Sequence, residues 1–540
     1  MTSPDAEAGR FRRAVFLGGL LLAAAVCVAG RLHTMEEPLD IDIATYAVVA
    51  REALAGRELY SDLWDHKPPG LHLAFALAQL VAGPHELSVL LVGCATALLT
   101  LLAVVRVLSD ALGSRPAALW GGLLWSALSL NLPLGANQPN AEALLNACVA
   151  WGLWAALRLA RADARWGHAL LFGGCAAAAS LVKHVGVLPF VTMAAALSVL
   201  SRGDGPHSRR TLGRLAAGLA LVPLAWAAVL GWFAADGRFS DAWDALIVYN
   251  AWYAGAGDGG LVALDLAFLL PPLLSILPST VTLLVRGEAR GAGSAPHAVF
   301  LAAVAGTALA VDLPGRWVPH YLQLWLPLLS LALGLAVAEL SRALPAPRRL
   351  RAHVLAAVVV LPVAASHAAP FRLPPFEWSR VKWARLGARF DLAYLAGAYA
   401  DGLLAPGETF YMYGNETQLY FVSGRRPPSG VLYALPLAPG SPLRDRLLDR
   451  LRRQLAADPP ELVVVARYHL PDIDAGRGPA GPELERWLFA GYRQLPRVEG
   501  LAHDLFARKG GRLEARVAAR GGLLPPVPGV RPGPAPEALP

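Results

Sequence analysis

Charge is scarce in this chain. Asp, Glu, Lys and Arg make up 16% of its 540 residues, too few to clothe a soluble protein of that size. Cysteine is scarce as well: Cys27, Cys94, Cys148 and Cys175 all fall in apolar segments with no paired spacing. Neither a disulfide framework nor a thiolate metal site is indicated. The formal net charge is +8, but the basic residues form no block and no single face, so the excess does not point to nucleic acid. The apolar run that follows Arg10-Phe11-Arg12-Arg13 and reaches Gly30 lacks a clean small-residue cleavage site. It reads as a retained first helix rather than a signal peptide.

What is abundant is apolar surface. Hydrophobic residues make up 55% of the chain and the mean hydropathy is +0.44, which marks a membrane protein. Spans are expected near 14–32, 86–108, 116–134, 139–160, 166–182, 185–200, 212–234, 261–286, 297–312, 318–340 and 351–369, about eleven in all. The segment 71–83 is apolar but short for a span, and reads as re-entrant or lying along the interface.

Charge orients this layout. Arg10, Arg12, Arg13, Arg106, Arg115, Arg158, Arg161, Arg165, Arg202, Arg209, Arg210, Arg214, Arg286, Arg290, Arg342, Arg348, Arg349 and Arg351 fall on one side. By the positive-inside rule that side is cytoplasmic, with the N-terminus. Residues 33–85, 235–260, 313–317 and everything after 370 then face outward from an integral, multi-pass cell membrane (inner or plasma membrane) protein. Counting 71–83 as a full span would scramble the asymmetry.

After residue 370 the texture changes. "ETFYMYG" and "ELVVVARY" read as buried strands, "LRDRLLDRLRRQLAAD" and "GPELERWLFAGY" as helices, and "HDLFARK" as a closing strand. From about Gly521 the chain is rich in Pro and Gly and reads as disordered. The expected fold is therefore mainly α: a transmembrane helical domain over 1–369, with a first external loop at 33–85, then an external α/β domain over 370–520 and a tail over 521–540. Asn415-Glu416-Thr417 matches a glycosylation acceptor triplet, to which no role is assigned.

The most polar stretch of the first third, "DIDIATYAVVAREALAGRELYSDLWDHKPPG" at 40–70, lies on the outer side between apolar segments. Ionisable groups at a membrane are expensive and mark function. Asp42, Tyr46, Gly56 and Tyr60, followed by Lys67-Pro68-Pro69-Gly70, resemble the first external loop of polyprenyl-phosphate-sugar-dependent glycosyltransferases. These are C-type fold enzymes that include protein O-mannosyltransferases and the aminoarabinose transferases of lipid A. The family pattern is an Asp, usually followed by Glu, with Tyr four residues on and Lys-Pro-Pro further along; here Ile43 replaces the Glu. The resemblance extends in layout over 10–369. It implies transfer of a sugar from a polyprenyl-phosphate donor to a lipid, glycan or protein acceptor of the envelope, at the outer face of the membrane.

The residue types suit that chemistry. The leaving phosphate gains negative charge and needs fixed cations. Lys67, His66, Arg316, His320 and Lys183 are the candidates, with snorkelling to headgroups the plain alternative for Lys183 and Arg316. The acceptor needs a base, for which Asp42 is the first candidate and Asp40 the second. Asp42 could instead be the N-cap of a helix over Ile43–Ala55. Tyr46, Tyr60, Asn140, Glu142, Tyr249 and Tyr253 are candidates for substrate contact, although Glu142 also suits a helix N-terminus and interfacial aromatics are common anchors. Trp252, Asp241, Asp244 and Asp258 share the long outer loop with Tyr249 and Tyr253. No cofactor is expected, and no constellation calls for a metal, although Asp40 and Asp42 could bind a divalent cation weakly. Rival readings are a transporter or flippase of lipid-linked sugars, an oligosaccharide transferase with a pyrophosphate donor, and a non-catalytic scaffold. The absence of an internal repeat and the large terminal domain weigh against the first.

Overall fold

A computed structural model of the chain describes residues 4–202, 206–255, 266–286, 294–315, 318–368, 370–383, 389–467 and 481–527. The first part runs as α1 (Pro4–His33), α2 (Ile41–Leu54), α3 (Pro69–Ala82), α4 (Glu86–Arg106), α5 (Arg115–Leu128), α6 (Ala141–Leu159), α7 (Trp166–Val182) and α8 (Leu188–Leu200). It continues as α9 (Pro206–Leu219), α10 (Leu221–Ala235), α11 (Phe239–Trp243), α12 (Tyr249–Gly255), α13 (Leu266–Arg286), α14 (Ala295–Asp312), α15 (Leu326–Ala343) and α16 (Leu350–Ala368). Helix α6 packs on α7 and α4, α14 on α8, and α15 on α5.

Each expected span overlaps at least one of these helices; 212–234 takes in parts of both α9 and α10, and residues 261–265 of the span expected at 261–286 lie outside the described residues. By length and composition, six segments among the described residues can cross a membrane: Gly9–His33, Glu86–Asp110, Ser208–Ala235, Ala295–Asp312, Pro319–Ala343 and Leu350–Ala368. The other expected spans are shorter or more polar. Helix α5 has 14 residues, and α6 carries Glu142, Asn146 and Arg158 among its 19. Helix α3 has 14 residues, about 21 Å at the usual rise and short of the ~30 Å hydrocarbon core. It presents Leu73, Leu77, Leu80 and Val81 outward and buries Leu71, His72, Phe75 and Gln79.

The second part comprises α17 (Pro375–Trp383), α18 (Phe390–Leu403), β1 (Phe410–Tyr413), α19 (Gln418–Ser423), α20 (Arg444–Ala457), β2 (Leu462–Ala466), α21 (Gly481–Gly491), β3 (Tyr492–Gln494), β4 (His503–Arg508) and α22 (Arg512–Ala519). The sheet order is β1-β2-β4-β3. Strands β1 and β2 are parallel, with Phe410 opposite Leu462, and β4 is antiparallel to both of its neighbours. Every residue of β1 and β2 is buried, as continuous apolar runs demand. Leu447, Leu448, Leu451 and Leu455 form the buried stripe of α20. Strand β3 and helices α17, α18, α19 and α22 were not foreseen; β3 is three residues long with two of them exposed, which leaves no period to read.

The tail departs from expectation at its start. Tyr399 donates its hydroxyl hydrogen to the Pro525 carbonyl at 2.6 Å and Val527 is buried, so the chain stays packed to residue 527. Residues 528–540 lie outside the described residues.

The α/β layer rests on the polar loop. Gly430 accepts from the Trp64 backbone N–H at 3.0 Å, and a Cβ at Gly430 would collide with the Asp62 carbonyl. Thr45 and Thr417 share a hydrogen bond of 2.7 Å. Arg450 donates to the Tyr60 carbonyl at 2.7 Å and to Asp241 at 3.1 Å, while Arg446 bonds Asp241 and Asp244.

Candidate functional site

Helix α2 starts two residues earlier than the sequence suggested. Its N-cap is Asp40, whose Oδ1 accepts from the Asp42 backbone N–H at 2.8 Å. The capping duty considered for Asp42 thus belongs to Asp40. Asp42 sits in the first turn, and Thr45 and Tyr46 follow on the same face of the helix at i+3 and i+4. All four line one cavity of about 340 Å³, together with Asp65, His66, Lys67, Tyr253, His320, Tyr321, Trp383, Phe390, Asn415 and Tyr433.

Two prolines set the position of Lys67. Pro68 precedes α3 in an extended conformation and Pro69 opens the helix, so the backbone turns sharply just after Lys67. Upstream, Tyr60 is the one non-glycine residue among those described with a positive φ, +70°. It is held there by its hydroxyl, which donates to the Lys67 carbonyl at 2.8 Å, and by packing on Phe233. Tyr60 therefore shapes the loop and does not line the cavity. Burial works against the Lys67 ammonium, but the Asp42 carboxylate and further partners outweigh it and raise Lys67 above its ordinary value. Lys67 is a fixed positive charge.

The carboxylates differ in environment. Burial, and then the neighbouring Asp42 charge, push Asp40 up to about 6. Asp42 has 40% of its side chain exposed, and its Oδ2 lies 3.7 Å from His320 Nε2. His320, expected at a phosphate, stands beside the candidate base in the cavity that Lys67 also lines. Burial would raise Asp65 too, but His66 and His72 hold it well below the usual carboxylate range.

Lys183 pairs with Glu142 at 2.7 Å and sits 3.5 Å above the Tyr321 ring. Two candidates of different expected roles are thus each other's partners. Lys183 also lines a second cavity of about 180 Å³, which shares His66, Lys67, Tyr253 and Tyr321 with the first and is otherwise walled by Pro68, His184, Val185, Asn250, Ala254, Leu313 and Pro314. Asn140 caps α6 and accepts from the Tyr46 hydroxyl at 3.4 Å, beneath the cavity rather than in it. Tyr249 is fully buried against Trp64. Arg316 and Asp258 lie outside the described residues. Among those described, no three His, Cys, Asp or Glu side chains converge on a common metal position.

Several lining residues were not singled out from the sequence. Asp65 stood inside the quoted Trp-Asp-His-Lys cluster. Asn415 stood in a triplet that was given no role, and its Oδ1 accepts from the backbone N–H groups of Ala434 and Leu435, which brings Tyr433 to the cavity. Trp383, Phe390 and Tyr433 lie more than 300 positions from Lys67 and carry no motif.

The fold has counterparts. Residues 66–232, under a third of the chain, match the family described as Dolichyl-phosphate-mannose-protein mannosyltransferase. ArnT of Cupriavidus metallidurans in the apo state superposes with a TM-score of 0.60 at 16% identity, over 93% of this chain and 98% of that one. The same protein bound to undecaprenyl phosphate gives 0.58 at 16%, over 92% and 97%. The oligosaccharyltransferase AglB of Archaeoglobus fulgidus, in complex with an inhibitory peptide and a dolichol-phosphate, gives 0.50 at 12%, over 92% and 74%. This is the GT-C fold. No curated protein matches the chain. With that fold and, among the described residues, six helices apolar and long enough to cross a bilayer, the chain is an integral membrane protein.

Proposed function

We propose that the chain is a membrane glycosyltransferase that moves a sugar from a polyprenyl-phosphate donor to an envelope acceptor at the outer face of the membrane. The observation that carries this reading is the meeting of Lys67 and Asp42 in one cavity, a fixed ammonium and a part-exposed carboxylate. The family match over 66–232 and the undecaprenyl phosphate bound by ArnT support a lipid-phosphate donor. The smaller cavity adds to this, because Val185, Ala254, Leu313 and Pro314 give it an apolar wall next to Lys67, suited to the first isoprene units.

In the reaction, Asp42 takes the proton of an acceptor hydroxyl. The freed oxygen lone pair forms the new bond to the anomeric carbon as the bond from that carbon to the phosphate oxygen breaks. The bonding pair leaves on the phosphate, so polyprenyl phosphate departs as a monoester with one more negative charge, and Asp42 returns its proton to water. Lys67 meets the charge that grows on the leaving oxygen. Asp42 also faces positive charge on the sugar ring. The Arg-rich loops support a cytoplasmic N-terminus and an external α/β layer.

The test is incubation of the purified protein in nanodiscs with undecaprenyl-phosphate-linked hexoses and an envelope extract from a strain lacking it. Release of undecaprenyl phosphate together with a new glycosylated product is expected. Movement of the intact donor across a liposome bilayer, with no product, would replace the enzyme by a flippase.

A further inference from the structure

His66 stands next to Lys67, yet its hydrogen-bonding state does not suit a phosphate. Asp65 Oδ1 accepts from the His66 backbone N–H at 2.7 Å and from the Tyr433 hydroxyl at 2.9 Å. An ionised carboxylate only accepts, so the Tyr433 hydrogen points at Asp65 and the Tyr433 oxygen is left to accept. The atom facing that oxygen is His66 Nδ1, 3.3 Å away, and the same Nδ1 lies 3.4 Å from Asp65 Oδ1. Both contacts require a hydrogen on Nδ1. A neutral imidazole that carries its hydrogen there has a bare lone pair on Nε2. Burial, and then the Lys67 charge, push His66 down and keep it neutral. Its Nε2 is buried without a hydrogen-bond partner among the described residues, in a residue 7% exposed that lines both cavities.

A bare lone pair repels a phosphate oxygen and attracts a hydroxyl. We infer that His66 Nε2 accepts a hydrogen bond from a ring hydroxyl of the donor sugar, the one next to the anomeric carbon, while Tyr433 and Asp65 hold the imidazole in the tautomer that leaves Nε2 free. This deepens the glycosyltransferase reading and rests on it: with the phosphate at Lys67, the 2-hydroxyl is the ring hydroxyl nearest to it. Donation from that hydroxyl enriches its oxygen in electron density and stabilises positive charge on the neighbouring carbon during transfer. His66 touches substrate, and Tyr433, supplied by the α/β layer, is a positioning residue.

The experiment measures binding to the full-length protein in nanodiscs. Its probes are sugar-free undecaprenyl phosphate, undecaprenyl-phosphate glucose, undecaprenyl-phosphate mannose and their shared 2-deoxy counterpart. Wild type should hold the preferred hexose about fivefold to tenfold more tightly than the 2-deoxy probe, the worth of one hydrogen bond. His66→Ala should hold those two alike and bind the sugar-free lipid as wild type does. Tyr433→Phe, which keeps the aromatic packing, should narrow the same gap. Loss of sugar-free binding in His66→Ala to the level of Lys67→Ala would put His66 on the phosphate and overturn the inference. So would an undiminished 2-deoxy penalty in both variants, or no penalty in wild type. Failure of wild type to bind any probe would remove the glycosyltransferase reading itself.

Discussion

Asp40 caps the helix that carries Asp42, through a 2.8 Å hydrogen bond from the Asp42 backbone N–H to its Oδ1. Two carboxylates separated by one residue are thereby given different work. Asn caps a helix about as well as Asp, so Asp40→Asn should leave α2 intact and reduce turnover little. Asp42→Asn removes the carboxylate proposed as base and should slow transfer by ~10²–10⁴-fold, with binding of sugar-free undecaprenyl phosphate largely kept. Steady-state turnover and lipid binding, measured side by side, decide it. Wild-type turnover in Asp42→Asn would reduce that residue to a helix-terminal charge.

Stability should depend on pH through Asp40. Its native value of about 6 exceeds the ordinary 3.8, burial being the main cause. The native state then holds the proton more tightly than the unfolded state, and stability falls as pH rises between those values and is level above them. The drop is on the order of 3 kcal/mol. Unfolding in detergent from about pH 4 to about pH 7 should show it in wild type and not in Asp40→Asn. Equal slopes in the two proteins would show that Asp40 titrates normally.

Lys67→Ala should weaken undecaprenyl phosphate binding by roughly tenfold to a hundredfold, the worth of a charge-assisted hydrogen bond. Turnover should fall further, because the phosphate carries more charge in the transition state than in the ground state. Lys67→Arg should recover part of both, since a planar fork does not occupy the place of an ammonium. Unchanged affinity in Lys67→Ala would move the donor phosphate elsewhere.

The Glu142 and Lys183 pair is buried, with side chains 1% and 12% exposed. Lys183→Met alone strands the Glu142 charge and should destabilise the protein by ~3–5 kcal/mol. The double variant Lys183→Met with Glu142→Gln should recover most of that, and it should keep its donor affinity if Lys183 serves structure alone. A double variant that is stable but binds undecaprenyl phosphate poorly would make Lys183 a phosphate ligand after all.

Much of the site was legible because it is local. The stretch 40–70 holds the cap, the base candidate, the prolines and Lys67 in one run, and its polarity stands out against apolar flanks. The placement of α2 was two residues off because either Asp could cap and only backbone geometry chooses. Tyr60 and Tyr249 have the residue type of sugar contacts, but Tyr60 braces the Lys67 carbonyl and Tyr249 fills space under Trp64.

The sequence by itself determined the membrane class, through a surplus of apolar residues that no soluble surface could absorb. It determined the buried strands β1 and β2, because burial on both faces leaves a short unbroken apolar run, and the amphipathic α20, because burial along one stripe leaves a helical period that can be read along the chain. The tertiary structure alone decided that Tyr433 and Asn415 enter the cavity, that Lys183 belongs to Glu142, and that His320 stands by Asp42. The pairs of Tyr433 with Asp65, Lys183 with Glu142 and His320 with Asp42 each join residues at least 41 positions apart. No local pattern records such pairings, since they arise only when packed helices and the α/β layer bring distant side chains into contact.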